Sequence, residues 1–194
     1  MSTPRPVRGL VQPRLVAQLG DHLLGTDPAA VDAEEVAETG GMSPLQLFRR
    51  LAVAEAVTWA LLLVGMLLKY GTGTTELGVQ VFGMAHGVVF IAYCLGAVFV
   101  AVNQRWSPAT TALALASAVP PFLTVWFDRR AERRSQLDGP WRLAPGRDQP
   151  TGLLERAQAW MLARPVAAGG VAVAAVSALT LLALLVGPPA ASQS

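Results

Sequence analysis

The sequence predicts an all-α polytopic membrane bundle, a three-helix core with a fourth C-terminal transmembrane helix. Three observations predict it. The 194 residues are 53% hydrophobic and 14% charged, with a mean hydropathy of +0.44, whereas soluble domains carry roughly 25% charged residues. The charges crowd into the first 50 residues and the stretch 128–164. The apolar runs that remain are long enough to cross a hydrocarbon layer of about 30 Å.

Residues 1–46 form a polar tail, expected to be mobile and partly helical. Leu15, Leu19 and Leu23 recur at four-residue spacing, which suits a short surface helix. Asp27 as N-cap, Pro28 at the first helical position and Gly40-Gly41 as terminator predict a second helix over 27–39. Its acidic residues Asp32, Glu34, Glu35 and Glu38 mark it as solvated. Residues 1–30 lack the apolar core of a signal peptide. The first spanning helix is therefore expected to serve as an uncleaved insertion signal.

Residues 47–130 make the three-helix membrane domain. Ser43-Pro44 starts a helix that runs through Arg49-Arg50 into the first span, 51–68. At 1.5 Å per residue that span covers about 27 Å. Lys69-Tyr70 mark the far interface. The Gly/Thr turn from Gly71 to Gly78 makes the first two helices antiparallel neighbours. The second span is 79–102, and Asn103–Ser107 is a turn with Arg105 and Trp106 at headgroup level. The third span is 108–127, opened by Pro108, closed by Trp126 and kinked at Pro120-Pro121. Residues 131–165 are an Arg-rich loop, in which Leu153, Leu154, Ala157, Trp160 and Met161 form the stripe of an interfacial helix. The fourth span is 166–187, and 188–194 form a disordered tail.

Lys69 is the one lysine among 15 basic residues, and the sequence pI is 9.2. Arginine concentrated beside apolar runs reads as membrane-flanking charge, with the lipid bilayer as partner and no nucleic acid. Arg129, Arg130, Arg133 and Arg134 are candidates for contact with anionic lipid. Four full spans would set Arg49, Arg50 and Arg105 against the arginines of the loop, which leaves the orientation of the termini divided. A third segment that re-entered at Pro120-Pro121 would gather all these arginines on one side. Full crossing is favoured here, because twenty apolar residues suffice to span.

Two helix faces carry the polar residues. Glu55, Thr58, Leu62, Gly65 and Lys69 share one face of the first helix, and Gly83, His86, Phe90, Tyr93 and Ala97 share one of the second. Gly83 and Gly87 have the small-residue spacing that admits close helix packing, as do Gly170 and Ala174 of the last span. Ionisable groups at bilayer depth are functional candidates, so Glu55, Lys69, His86 and Tyr93 stand out. Counted from the span ends, Glu55 and His86 lie about 14 Å apart along the bundle, which excludes a direct pair. One reading is a proton or ion relay, or a small polar ligand site. The other is structural: Glu55 bonds Tyr93 or a backbone group, and His86 bonds a carbonyl freed by Pro120-Pro121. Lys69 is expected to snorkel and Cys94 to pack as a small apolar side chain.

No catalytic, metal or cofactor assignment follows. The second histidine, His22, lies in the tail, and one cysteine with one membrane histidine falls short of a zinc site. No nucleotide-binding loop, nucleophile elbow or metalloprotease motif occurs.

Taken in order, Arg49-Arg50, Ala54-Glu55-Ala56, Leu67-Leu68-Lys69-Tyr70, Gly83-Met84-Ala85-His86-Gly87 with Phe90 and Tyr93, Arg105-Trp106, Pro120-Pro121-Phe122 and Asp128-Arg129 form a set. It resembles the small bacterial integral membrane proteins grouped as domain of unknown function 3817, over about residues 47–130. The resemblance implies about three membrane helices, no assigned activity, and family-typical polar positions at Glu55, Lys69, His86 and Tyr93. The tail and the fourth span are additions to it. The expected role is a non-enzymatic accessory or assembly component of the bacterial cytoplasmic membrane, with a membrane-protein partner or a second copy. The alternative is a small oligomeric transporter or proton-coupled channel using Glu55 and His86.

Overall fold

The computed structural model describes residues 41–186. The tail helices expected before residue 41 and the disordered end after residue 187 lie outside the described residues. Those described are helical, without strands.

Helix α1 (Pro44–Met66) opens on a capping box: Gln46 N–H donates to Ser43 Oγ at 3.2 Å, and Ser43 N–H donates to Gln46 Oε1 at 3.4 Å. These bonds satisfy amides that have no partner inside the helix. A π turn, Leu67–Gly71, extends α1 to the far end of the molecule. Helix α2 (Leu77–Asn103) returns antiparallel. It ends at Arg105 with φ 51°, where the Trp106 N–H bonds Ala101 O and the Arg105 N–H bonds Val102 O. That is a Schellman turn with arginine in the position that glycine usually takes.

The segment expected to be a third continuous span is broken. Helix α3 (Pro108–Ala116) is nine residues long, α4 (Leu123–Arg133) is eleven, and an irregular tip at 117–122 joins them. Pro120-Pro121 removes two consecutive amide donors and disfavours helical geometry at the residue before each ring. Phe122 then takes φ 65°, outside the range of a right-handed helix. The chain folds back, and the Arg49 guanidinium near the start of α1 meets Asp128 at 3.2 Å and Glu132 at 2.6 Å. The expected continuous third span is thereby corrected: residues 108–133 form two short helices joined as a hairpin, whose outer ends come together where Trp106 meets Phe127 at 5.7 Å. An apolar count of twenty cannot register that the backbone inside it has lost its donors.

Helix α5 (Leu153–Ala163) lies where the amphipathic stripe placed it, with Leu153 and Leu154 exposed. Helix α6 (Pro165–Val186) follows directly. Among the described residues, three stretches are long and apolar enough to cross a membrane: Pro44–Gly71, Leu77–Asn103 and Pro165–Val186. The C-terminal helix is the third such segment among them.

One residue fastens the Arg-rich loop. Arg142 donates to two carbonyls at the end of α2, Asn103 (2.9 Å) and Val102 (3.2 Å, which the Arg105 N–H also reaches), and to Glu155 at 2.6 Å. The Glu155 carboxyl also accepts the Thr151 N–H (2.8 Å) and hydroxyl (2.9 Å). The Thr151 N–H first, then Arg142, holds it down to about 2, from an ordinary 4.5. A depressed folded value stabilises above the unfolded one, so the contribution is complete above pH 4.5 and is lost as pH falls toward 2. Hydrogen exchange across α5 is expected to quicken over that window. Glu155→Gln should remove the pH dependence, and Arg142→Ala should release α5 at neutral pH.

Packing at the Arg-rich end centres on Phe48, whose ring meets Tyr93, Trp106 and Phe127 at 5.6, 5.7 and 5.8 Å. Ala52, Ala97, Val100, Ala114, Ala118 and Ala131 fill the remaining buried space. Further along, α1 and α2 approach closely at Gly65 and Gly78: a Cβ on Gly65 would lie 2.7 Å from the Gly78 carbonyl carbon. Gly83 and Gly87 lie away from this crossing. A Cβ on Gly83 would meet Leu62 at an ordinary 3.7 Å, and one on Gly87 or Gly170 would meet nothing within 4 Å. Ala174 of α6 is exposed too. Close approach is set by where the axes cross, and they cross near the Gly71–Gly78 turn.

Candidate functional site

The buried polar groups of α1 and α2 converge on the hairpin. Helix α3 ends in tight turns: Ala118 N–H bonds Leu115 O and Val119 N–H bonds Ala116 O. That leaves the carbonyls of Ala114 and Ala118, both fully buried, without their α-helical donors. Side chains supply them instead. Tyr93 donates to Ala114 O at 3.1 Å and lies 3.1 Å from Ser117 Oγ, which itself donates to Ala114 O at 2.6 Å. The Trp59 indole N–H donates to Ala118 O at 3.3 Å.

Glu55 and Thr124 close the other side. Both are fully buried. The Thr124 hydroxyl lies 2.9 Å from Glu55 Oε2 and 3.2 Å from Ala52 O. A hydroxyl has one proton, so these two acceptors share it. Glu55 Oε1 has no hydrogen-bond partner of good geometry among the described residues, although the Trp59 indole stands beside the carboxyl. Glu55 therefore bonds the hairpin, and Tyr93 bonds the freed carbonyl that had been expected to receive His86.

His86 belongs to the α1–α2 seam. Its Nδ1 lies 3.2 Å from Thr58 Oγ1, and its ring packs on Trp59 at a centroid distance of 4.5 Å. Thr58 already donates its proton to Glu55 O at 2.9 Å. Hydrogen accounting thus assigns the Nδ1–H to His86 as donor. Thr58 is one turn from Glu55, so the axial gap is far smaller than the one counted from span ends. The helices run past those ends, over 28 and 27 residues. Lys69 is apart from this cluster, paired with Glu76 at 3.1 Å across the Gly/Thr turn.

The structure thus joins Glu55 with Thr124, Tyr93 with Ser117, and His86 with Thr58, with Trp59 touching both the hairpin and His86. Sequence reasoning missed Trp59, Ser117, Thr124 and Arg142. Trp59 falls one turn beyond Glu55 on the same helix, the one signal that pointed toward it.

Among known proteins, residues 45–133 match the family described as Domain of unknown function (DUF3817). A protein of Streptomyces coelicolor whose name describes it as a candidate membrane protein is 42% identical over an alignment that covers 69% of this chain. The chain spans 18% of the length of that relative. No solved structure matches the chain. The match covers α1 from Leu45, α2 and the whole hairpin to Arg133, and stops before α5 and α6. With Glu55, Thr58, Trp59, His86, Tyr93, Ser117 and Thr124 all inside it, the three-element membrane unit at residues 45–133 belongs to the DUF3817 family.

Proposed function

We propose that the chain is a multi-pass, non-enzymatic protein of the bacterial cytoplasmic membrane, and that its DUF3817 unit is a packing module for assembly with another membrane protein or a second copy. One observation carries the reading: the hydroxyls of Tyr93 and Thr124 and the indole of Trp59 bond carbonyls of the hairpin and of α1. These hydrogen bonds fix a shape, with the side chains closed around the hairpin tip. Helix α6 adds support, since none of its residues is buried and its Gly170 and Ala174 face open space, ready for a helix from outside.

Charge gives the orientation. The hairpin gathers Arg49, Arg50, Arg105, Arg142 and the Arg129–Arg134 run at one end, and leaves Lys69 at the other. By the positive-inside rule the Arg-rich end is cytoplasmic. Proteoliposomes holding the full chain are expected to show no flux driven by a pH gradient above protein-free vesicles, and Glu55→Gln and His86→Ala should change nothing. Flux that both substitutions abolish would establish the proton-coupled reading in its place.

A further inference from the structure

We infer that the outer face of α4 is a binding site for a phospholipid headgroup carrying two phosphates, on the membrane surface at the Arg-rich end. The inference rests on the membrane placement proposed above. Helix α4 has two faces. Thr124, Phe127, Asp128 and Ala131 recur at three-four spacing and are buried against the rest of the bundle. The opposite face presents Trp126, Arg129, Arg130, Arg133 and Arg134 around an open groove of about 450 Å³.

The two faces differ in charge balance. The acidic groups of α4, Asp128 and Glu132, are both held by Arg49 of α1. No ion pair forms at Arg129, Arg130, Arg133 or Arg134 among the described residues, and the Arg130 guanidinium lies over the Trp126 ring at 5.5 Å. Four guanidiniums within two helical turns exceed what one phosphate monoanion neutralises, and they suit two phosphates joined by a short linker. Guanidinium forks match phosphate oxygens in pairs.

A second feature selects a lipid over free phosphate. Along the same surface the chain runs from exposed Val119 and Phe122 at the hairpin tip, through half-exposed Trp126, to the arginines. That gradient from apolar to amphipathic to basic matches acyl chain, glycerol region and headgroup in order. Tryptophan in particular favours the level where hydrocarbon gives way to headgroups.

The test is native mass spectrometry of the full chain in detergent, offered cardiolipin or phosphatidylcholine at equal concentration. The chain is expected to retain cardiolipin at least about fivefold over phosphatidylcholine. Arg130→Gln/Arg133→Gln should bring the two lipids level, whereas Arg50→Gln/Arg156→Gln should leave the preference intact. Arg130→Lys/Arg133→Lys keeps the charge and should retain part of the preference, which separates loss of a site from loss of fold. Equal retention of the two lipids by the unaltered chain overturns the inference. So does an equal loss in the Arg50/Arg156 pair, which would make the effect one of bulk charge. Displacement of cardiolipin by millimolar inorganic phosphate also overturns it, and assigns the groove to a free anion. None of these readouts involves flux, so this inference and the packing reading fail separately.

Discussion

Gly65→Leu is expected to separate α1 from α2 and abolish the cooperative thermal transition in detergent, with Gly65→Ala lowering the melting temperature markedly. A Cβ at position 65 would sit 2.7 Å from Gly78 C, 2.9 Å from Gly78 O and 2.9 Å from Val79 N. All three are backbone atoms, so no rotamer change relieves the clash and the helices must move apart. Overpacking of this kind costs about 1–3 kcal/mol for a small addition. Separation would also draw Thr58 away from His86 and Leu62 from Gly83, because those contacts lie along the same seam. Gly87→Ala is the control. A Cβ there meets nothing within 4 Å, and alanine stabilises a helix interior by roughly 0.8–1 kcal/mol relative to glycine. A melting temperature equally lowered by Gly65→Ala and Gly87→Ala would show that the crossing point is not at Gly65.

The seam was legible because spacing defines helix faces. Thr58, Leu62 and Gly65 on one helix and Gly83 and His86 on the other were picked out by three-four recurrence alone, and Thr58–His86 and Leu62–Gly83 are real neighbours. Which glycines touch was not legible. Spacing says nothing about register between two helices, and Gly78 looked like part of a turn. The break at Pro120-Pro121 was half legible. The prolines announce lost donors, but whether a chain kinks and continues or turns back depends on who satisfies the carbonyls. Tyr93 and Trp59 do so from other helices, more than 20 residues away along the chain from the tip.

The same reasoning explains the residues that were missed. Ser117 and Thr124 are ordinary small polar residues by sequence, and they become informative only beside Tyr93 and Glu55. Arg142 was one of eight arginines in the stretch 128–164. Its role depends on the end of α2 lying within reach, where the terminal carbonyls make a local negative pole. A membrane glutamate, by contrast, is conspicuous in any apolar run, so Glu55 was found. Its partner was not, because Thr124 reaches it only once the hairpin folds back.

Glu55→Ala is therefore expected to loosen the hairpin as a unit, with Glu55→Gln close to the unaltered protein. Alanine removes a fully buried side chain and leaves a void at the α1–α4 contact, for about 2–4 kcal/mol by analogy with other large-to-small core changes. Glutamine fills the same volume. Its amide donates to Thr124 Oγ1, which frees the Thr124 proton for Ala52 O, so the shared hydrogen becomes two separate bonds. Thr124→Val tests the pair from the other side: it leaves the carboxyl without its hydroxyl donor, at a cost of about 1–3 kcal/mol. In a double-mutant cycle, Glu55→Gln and Thr124→Val should couple, since they share one contact. Trypsin cleavage within the Arg129–Arg134 run should rise with Glu55→Ala and stay unchanged with Glu55→Gln, because only the first releases α4 from α1. Equal cleavage of the two variants would mean that the carboxyl position does not hold the hairpin, and that Arg49 with Asp128 and Glu132 holds it from the end.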